Sequence, residues 1–245
     1  MSDEQDQPDE VEYRQTGFRP PPGSTEIFLV RHGASEPSRP GRLFPLVDGH
    51  GDPALAPEGL EQAERVGERF ADEAIDAIYV TTLRRTAQTA APLAARLGLE
   101  PIVEPGLREV GLGEWEGGIF REKVAKLDPI AVKLFAEERW DVIPGAEPHD
   151  DFVGRVRGSI DRIAAAHQGQ RVVAVAHGGV IGAAMTIAVE SNRGFAFAGA
   201  DNGSVSHLIV IDGRWILRRF NDTSHLHTGF DLPSLDTAPT SGFSA

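Results

Sequence analysis

The sequence predicts an α/β protein, a three-layer α/β/α sandwich around a mostly parallel central sheet. Three observations predict it. Short apolar runs alternate with helix-length segments, two of those runs end abruptly in His-Gly, and an Asp-Gly pair closes the pattern as a hairpin. A short apolar run bounded by glycine reads as a buried strand, and a histidine at its end stands at the carboxyl edge, where open α/β sheets place ligands.

The elements follow in order. Residues 1–24 are acidic and then proline-rich (Pro20, Pro21, Pro22), too poor in apolar surface to stay ordered. The first strand is Ile27-Phe28-Leu29-Val30, running into Arg31-His32-Gly33. A loop over 34–56, made of Gly, Pro, Asp and Arg, is long enough to suggest function rather than connection. Residues 57–70 read as a helix with Pro57 near its start, 75–80 as a strand, and 83–97 as a helix closed by Gly98. An irregular section over 101–118 precedes one helical run from about Phe120 to Glu138 and a polar loop over 141–151; residues 118–151 would form a cap. A helix over 152–167 feeds the second His-Gly strand, Val172-Val173-Ala174-Val175-Ala176-His177-Gly178-Gly179, and a further helix. Strands over 205–211 and 215–220 flank Asp212-Gly213. The folded domain is expected over 25–227, with residues 228–245 a flexible tail.

Composition narrows the function. A net charge of −13 argues against a nucleic-acid partner, because that binding needs arrays of Lys and Arg. Zero cysteines exclude disulfides, thiolate metal sites and a cysteine nucleophile. The acidic N-terminus lacks the layout of a secretion signal, so a cytoplasmic protein is expected. The stretch 172–189 is apolar but broken by His177 and three glycines, which fits strand, turn and helix better than a membrane span.

Arg31-His32-Gly33 carries the chemistry. A strand-end histidine can be a metal ligand, a base, a nucleophile or a structural residue. The adjacent guanidinium repels a metal cation, favours a tetrahedral oxyanion and disfavours imidazolium, leaving a lone pair free near neutral pH. Gly33 lets backbone approach closely. The pair Arg84-Arg85 offers a second cation, and on a helix only one of two neighbours can face a pocket. No HExxH pair, P-loop or dinucleotide fingerprint appears. His50, His149, His167, His207, His225 and His227 read as surface or hairpin residues, and the three tryptophans as core.

The run LVRHG resembles the signature of the histidine phosphatase superfamily, the phosphoglycerate mutase-like proteins, and other segments match in order. Thr81-Thr82-Leu83-Arg84-Arg85-Thr86 is similar to the second-arginine motif, Leu107-Arg108-Glu109 with Gly113-Glu114-Trp115-Glu116-Gly117 to the acid-bearing segment, and Val175-Ala176-His177-Gly178-Gly179 to the second-histidine motif. The resemblance implies that His32 is the nucleophile forming a phosphohistidine and Glu109 the proton donor, with Glu114 and Glu116 as rivals. It implies that Arg31, Arg85 and a protonated His177 hold the phosphate without a metal or cofactor. Ser38 stands where many members carry asparagine and, with Asn202, is a candidate pocket residue. Ala56 replaces a common threonine, which removes a helix cap.

The implied activity is metal-independent hydrolysis of a small phosphorylated metabolite. A phosphoglycerate mutase and a silent phosphate-binding protein are the alternatives; the absence of a fuller first motif and the Gly-Glu-Trp-Glu-Gly run favour the phosphatase. Arg39, Arg42, Arg121 and Lys123 either meet an anionic substrate or are solvated, and solvation is the expectation for Arg121 and Lys123. Homodimers are frequent in the family, but no apolar stripe decides the oligomeric state. Neither a membrane nor a nucleic acid is expected as a partner.

Overall fold

The computed structural model describes residues 12–227, so the expected tail over 228–245 and the first half of the acidic segment lie outside the described residues. Within them eight strands and six α-helices alternate much as the sequence predicts. Strand β1 (Thr25–Arg31) is followed by a small hairpin, β2 (Leu46–Val47) and β3 (His50–Gly51), inside the long loop. Then come α1 (Pro57–Arg69), β4 (Ala77–Val80), α2 (Arg84–Leu97) and a short edge strand β5 (Ile102–Val103). The cap carries α3 (Ile119–Ala125) and α4 (Pro129–Glu137), and the chain returns through α5 (His149–Ala166), β6 (Arg171–Ala176), α6 (Gly178–Ala188), β7 (Val205–Ile211) and β8 (Arg214–Asp222).

The central sheet has the order β5-β4-β6-β1-β7-β8. Its first four strands are parallel, and the β7–β8 hairpin adds an antiparallel edge. Side chains of a strand alternate between faces, which builds two cores from one strand. Ile27 and Leu29 pack with Phe152, Val156 and Ile160 of α5 and Ile181 of α6. Phe28 and Val30 meet Val66 of α1 and Leu93 of α2 on the other side. The three-layer sandwich follows.

Three expectations need correction. The single helix over 120–138 is two helices: Leu127 takes a left-handed φ of 52°, and Asp128 caps a new start by accepting from the Ile130 amide at 3.0 Å, with Pro129 in its first turn. Proline cannot continue a helix but suits a first turn. The loop over 141–151 ends early, because α5 begins at His149. The 34–56 loop contains the β2–β3 pair.

Close packing fixes the turn after β1. The Ala56 amide donates to the Ala34 carbonyl at 2.9 Å, the Ala34 amide donates to Gln62 Oε1 at 2.8 Å, and Ala56 caps α1 without a side-chain bond. Backbone therefore touches backbone here, and a Cβ on Gly59 would collide with the Ala34 carbonyl and lie 2.8 Å from its nitrogen. Gly59→Ala is expected to lower stability by about 1–3 kcal/mol, the usual cost of overpacking, as a drop in the urea midpoint. An unchanged midpoint would mean that this turn gives way freely.

Candidate active site

The two His-Gly turns meet because β1 and β6 are neighbours in register, Arg31 opposite Ala176. The His32 amide continues the ladder by donating to the Ala176 carbonyl at 3.1 Å. The imidazoles of His32 and His177 then lie edge to face with centroids 5.2 Å apart. Both are enclosed, at 6% and 0% exposure.

Hydrogen bonding assigns the His32 tautomer. Its Nδ1 lies 2.7 Å from the Gly33 carbonyl, which can only accept, so Nδ1 carries the proton. Arg85 Nε donates to Nε2 at 3.1 Å, so Nε2 holds the lone pair. Burial, followed by the charges of Arg85 and Arg31, holds the imidazole well below its ordinary pKa, leaving it neutral near pH 7. The backbone is pinned by the Asn202 amide, donating to the His32 carbonyl at 2.8 Å, and by Thr89 Oγ1, accepting from the Gly33 amide at 3.0 Å.

Around this nitrogen stand three guanidinium groups. Arg85 also donates to the Gly51 carbonyl at 2.9 Å, and burial lowers its pKa to about 10, so it remains charged near neutrality. Arg84 turns away, donating its backbone amide to Asp52 Oδ1 at 2.9 Å and its side-chain Nε to the Asp52 carbonyl at 2.8 Å. Arg31 donates to the Ala200 carbonyl, while its Nε has no partner among the described residues. Arg121 reaches in from the cap, donating to the Glu36 carbonyl at 2.8 Å and Ser35 Oγ at 2.7 Å.

A cavity of about 260 Å³ is lined by Arg31, His32, Arg85, Glu109 and Arg121, with His50 beside them. Glu109 lies at the start of α6, Oε2 accepting from the Gly179 amide at 3.2 Å and Oε1 from the Val110 amide at 3.0 Å. Gly179 makes room for the carboxyl group, since a Cβ there would stand 2.5 Å from Oε1. Glu116 also lines the cavity, but its two oxygens accept from the Gly51 and Leu112 amides at 2.8 Å each. Glu114 does not line it.

Several expectations meet a different arrangement. His177 lies beneath the cavity, its Nε2 3.1 Å from Thr81 Oγ1 and its Nδ1 unpartnered among the described residues. Burial, then Arg85 and His32, holds it well below its ordinary pKa, so here it is neutral rather than the expected cation. Arg121 is not merely solvated, whereas Lys123 is tied to Asp128 at 2.7 Å. His50 belongs to the site, Nε2 donating to the Glu109 carbonyl at 3.1 Å. Ser38 packs near Gly118 outside the cavity wall, Asn202 acts on backbone, and Arg39 and Arg42 pair with each other in an exposed bridge. The β2–β3 hairpin that carries His50 is too short to leave a strand pattern in sequence. Among the described residues no group of three metal-ligating side chains is assembled. No helix among them is long and apolar enough to cross a membrane.

The family model of the histidine phosphatase superfamily (branch 1) matches residues 27–223. The chain belongs to the histidine phosphatase superfamily. It is 36% identical over 223 residues to phosphoglycerate mutase-like protein 4 of Arabidopsis thaliana, covering 89% of this chain and 94% of that one. It is 33% identical to a metal-independent phosphoserine phosphatase of the same plant, covering 84% and 88%. The crystal structure of a phosphoglycerate mutase from Bacillus anthracis shares the fold, with a TM-score of 0.71 at 22% identity over 83% of this chain and 96% of that one. The superfamily reading and the phosphoglycerate mutase-like fold both stand.

The buried and half-buried histidines of this histidine phosphatase set a pH dependence. His32, His177 and His225 all have lowered values, with burial the first cause in each. An unfolded histidine takes up a proton below about pH 6.5 while these stay neutral in the native state. Stability is therefore expected to fall as pH drops from 7 towards 4. A Tm lower at pH 5 than at pH 7.5 checks this; a Tm that rises on acidification contradicts it.

Proposed function

We propose that the protein hydrolyses phosphate monoesters of small metabolites through a phosphohistidine on Nε2 of His32, with Glu109 as the proton donor. The observation that carries this is the neutral imidazole with its Nε2 lone pair held against Arg85. Arg31 and Arg85 would grip the equatorial phosphoryl oxygens, where charge gathers in a loose transition state. The unpartnered Arg31 Nε and His177 Nδ1 are left for the same oxygens. Glu109, which lines the same cavity as the nucleophile, would protonate the departing alkoxide and then take a proton from the attacking water. Covalent catalysis divides hydrolysis into two easier displacements.

The experiment is Glu109→Gln. Release of an alkanol from an alkyl phosphate is expected to slow by about 10²–10⁴-fold, the usual worth of a positioned acid. The first-turnover burst of nitrophenol from para-nitrophenyl phosphate, whose leaving group needs no proton, should stay near the parent rate. Equal losses in both would remove Glu109 from the acid role. Interconversion of 2- and 3-phosphoglycerate faster than phosphate release would establish a mutase instead, and tight phosphate binding without turnover would establish a silent binding protein.

A further inference from the structure

A second and larger cavity, about 590 Å³, adjoins the first and shares Arg31, Glu109, Phe120 and Trp140 with it. Its size falls within the roughly 300–1,000 Å³ of pockets that enclose whole drug-sized molecules, more than the alcohol of a three-carbon phosphate ester needs. We propose that this cavity is the leaving-group subsite and that the preferred substrates are phosphate monoesters of bulky, largely apolar alcohols. The inference rests on the phosphatase reading and deepens it.

The wall between the two cavities gives the first reason. The ester oxygen belongs to both the phosphoryl group and the alcohol, so the acid that protonates it must stand where the two spaces meet. Glu109 stands there. The lining gives the second. Five rings run in a chain from the phosphate side outward: Trp115 to Phe120 at 6.3 Å, Phe120 to Trp140 at 5.7 Å, Trp140 to Phe195 at 5.0 Å, and Phe195 to Phe135 at 6.3 Å. Phe120, Trp140, Phe195 and Phe135 line the large cavity itself. The same cavity is lined from α6 by the small residues Gly179, Gly182 and Ala183, followed by Thr186 and Ile187.

Charge gives the third reason. Beyond Arg31 and Glu109 at the junction, the other charged lining residues are Arg157 and Glu190, both exposed at the surface, with the imidazole of His149 beside them. An ammonium or carboxylate carried by a small polar alcohol would leave water among aromatic rings, with only the exposed Arg157 and Glu190 as charged partners beyond the junction, which is costly. An alkyl or aryl body gains from the same transfer. In the reaction the P–O bond to this alcohol breaks as the N–P bond to His32 forms, Glu109 gives its proton to the alkoxide, and water then cleaves N–P to release inorganic phosphate.

The test is a series of n-alkyl phosphates from methyl to hexyl, whose leaving groups have nearly equal basicity from ethyl upward. The wild-type kcat/KM is expected to rise about three- to fourfold per methylene from ethyl to hexyl, the worth of burying each group, with phosphoserine below ethyl phosphate. Thr186→Phe, which fills the cavity from α6, is expected to flatten that rise, read as the hexyl-to-ethyl ratio. A flat wild-type series, or phosphoserine preferred over hexyl phosphate, would overturn the inference and leave the phosphatase reading intact. An unchanged ratio in Thr186→Phe would place the alkyl group elsewhere. Failure to release phosphate from any ester, para-nitrophenyl phosphate included, would instead bring down the phosphatase reading beneath it.

Discussion

His32→Ala is expected to lower kcat for para-nitrophenyl phosphate by about 10⁵–10⁶-fold, the scale on which loss of a nucleophile acts in a covalent mechanism. The reason is the bonding of that one ring. Its Nδ1 proton goes to the Gly33 carbonyl at 2.7 Å and its Nε2 faces Arg85 at 3.1 Å, so one nitrogen alone carries a usable lone pair. The cations stay in place in the variant, because Arg31 is held by the Ala200 carbonyl and Arg85 by the Gly51 carbonyl. Inorganic phosphate should therefore still bind. Turnover within tenfold of the parent enzyme would show that another group attacks phosphorus.

The second large effect belongs to Arg85. Arg85→Ala removes the group that faces both Nε2 and the incoming phosphoryl oxygens, and a loss of about 10³–10⁵-fold in kcat is expected, as for arginines that meet transition-state charge in phosphoryl transfer. Lysine should restore little, since it lacks the planar fork. The pH profile adds an independent sign. Arg85 is, after burial, the largest influence holding His32 neutral, so its removal should raise the His32 pKa and move the acid limb of kcat/KM to higher pH. Arg84→Ala, which loses only bonds to Asp52, should change kcat little by comparison. A reversal of the two phenotypes would overturn the assignment.

Much of this site was legible because strand ends are. An apolar run that stops at His-Gly places its histidine at a sheet edge whatever the rest of the chain does, and parallel pairing of two such runs sets the histidines side by side. The choice between Arg84 and Arg85 needed only the motif and the rule that helix neighbours diverge. The remainder depended on contacts across sequence. Arg121 enters the cavity because the cap folds over residues 35 and 36, and His50 because a two-residue strand pair turns it towards Glu109. Neither leaves a local pattern. The low pKa of His177 has a similar origin, an enclosure that only packing reveals. The break at Pro129 was readable, since proline after Asp128 signals a new helix start, yet the apolar spacing on either side masked it.

The most direct measurement is mass spectrometry of the enzyme mixed with para-nitrophenyl phosphate, quenched within one turnover and digested under alkaline conditions that preserve phosphohistidine. One phosphoryl group is expected on the peptide containing His32, lost on acid treatment and absent from His32→Ala. A phosphoryl group on a different residue, or none at any time in a preparation that turns over, would contradict the account.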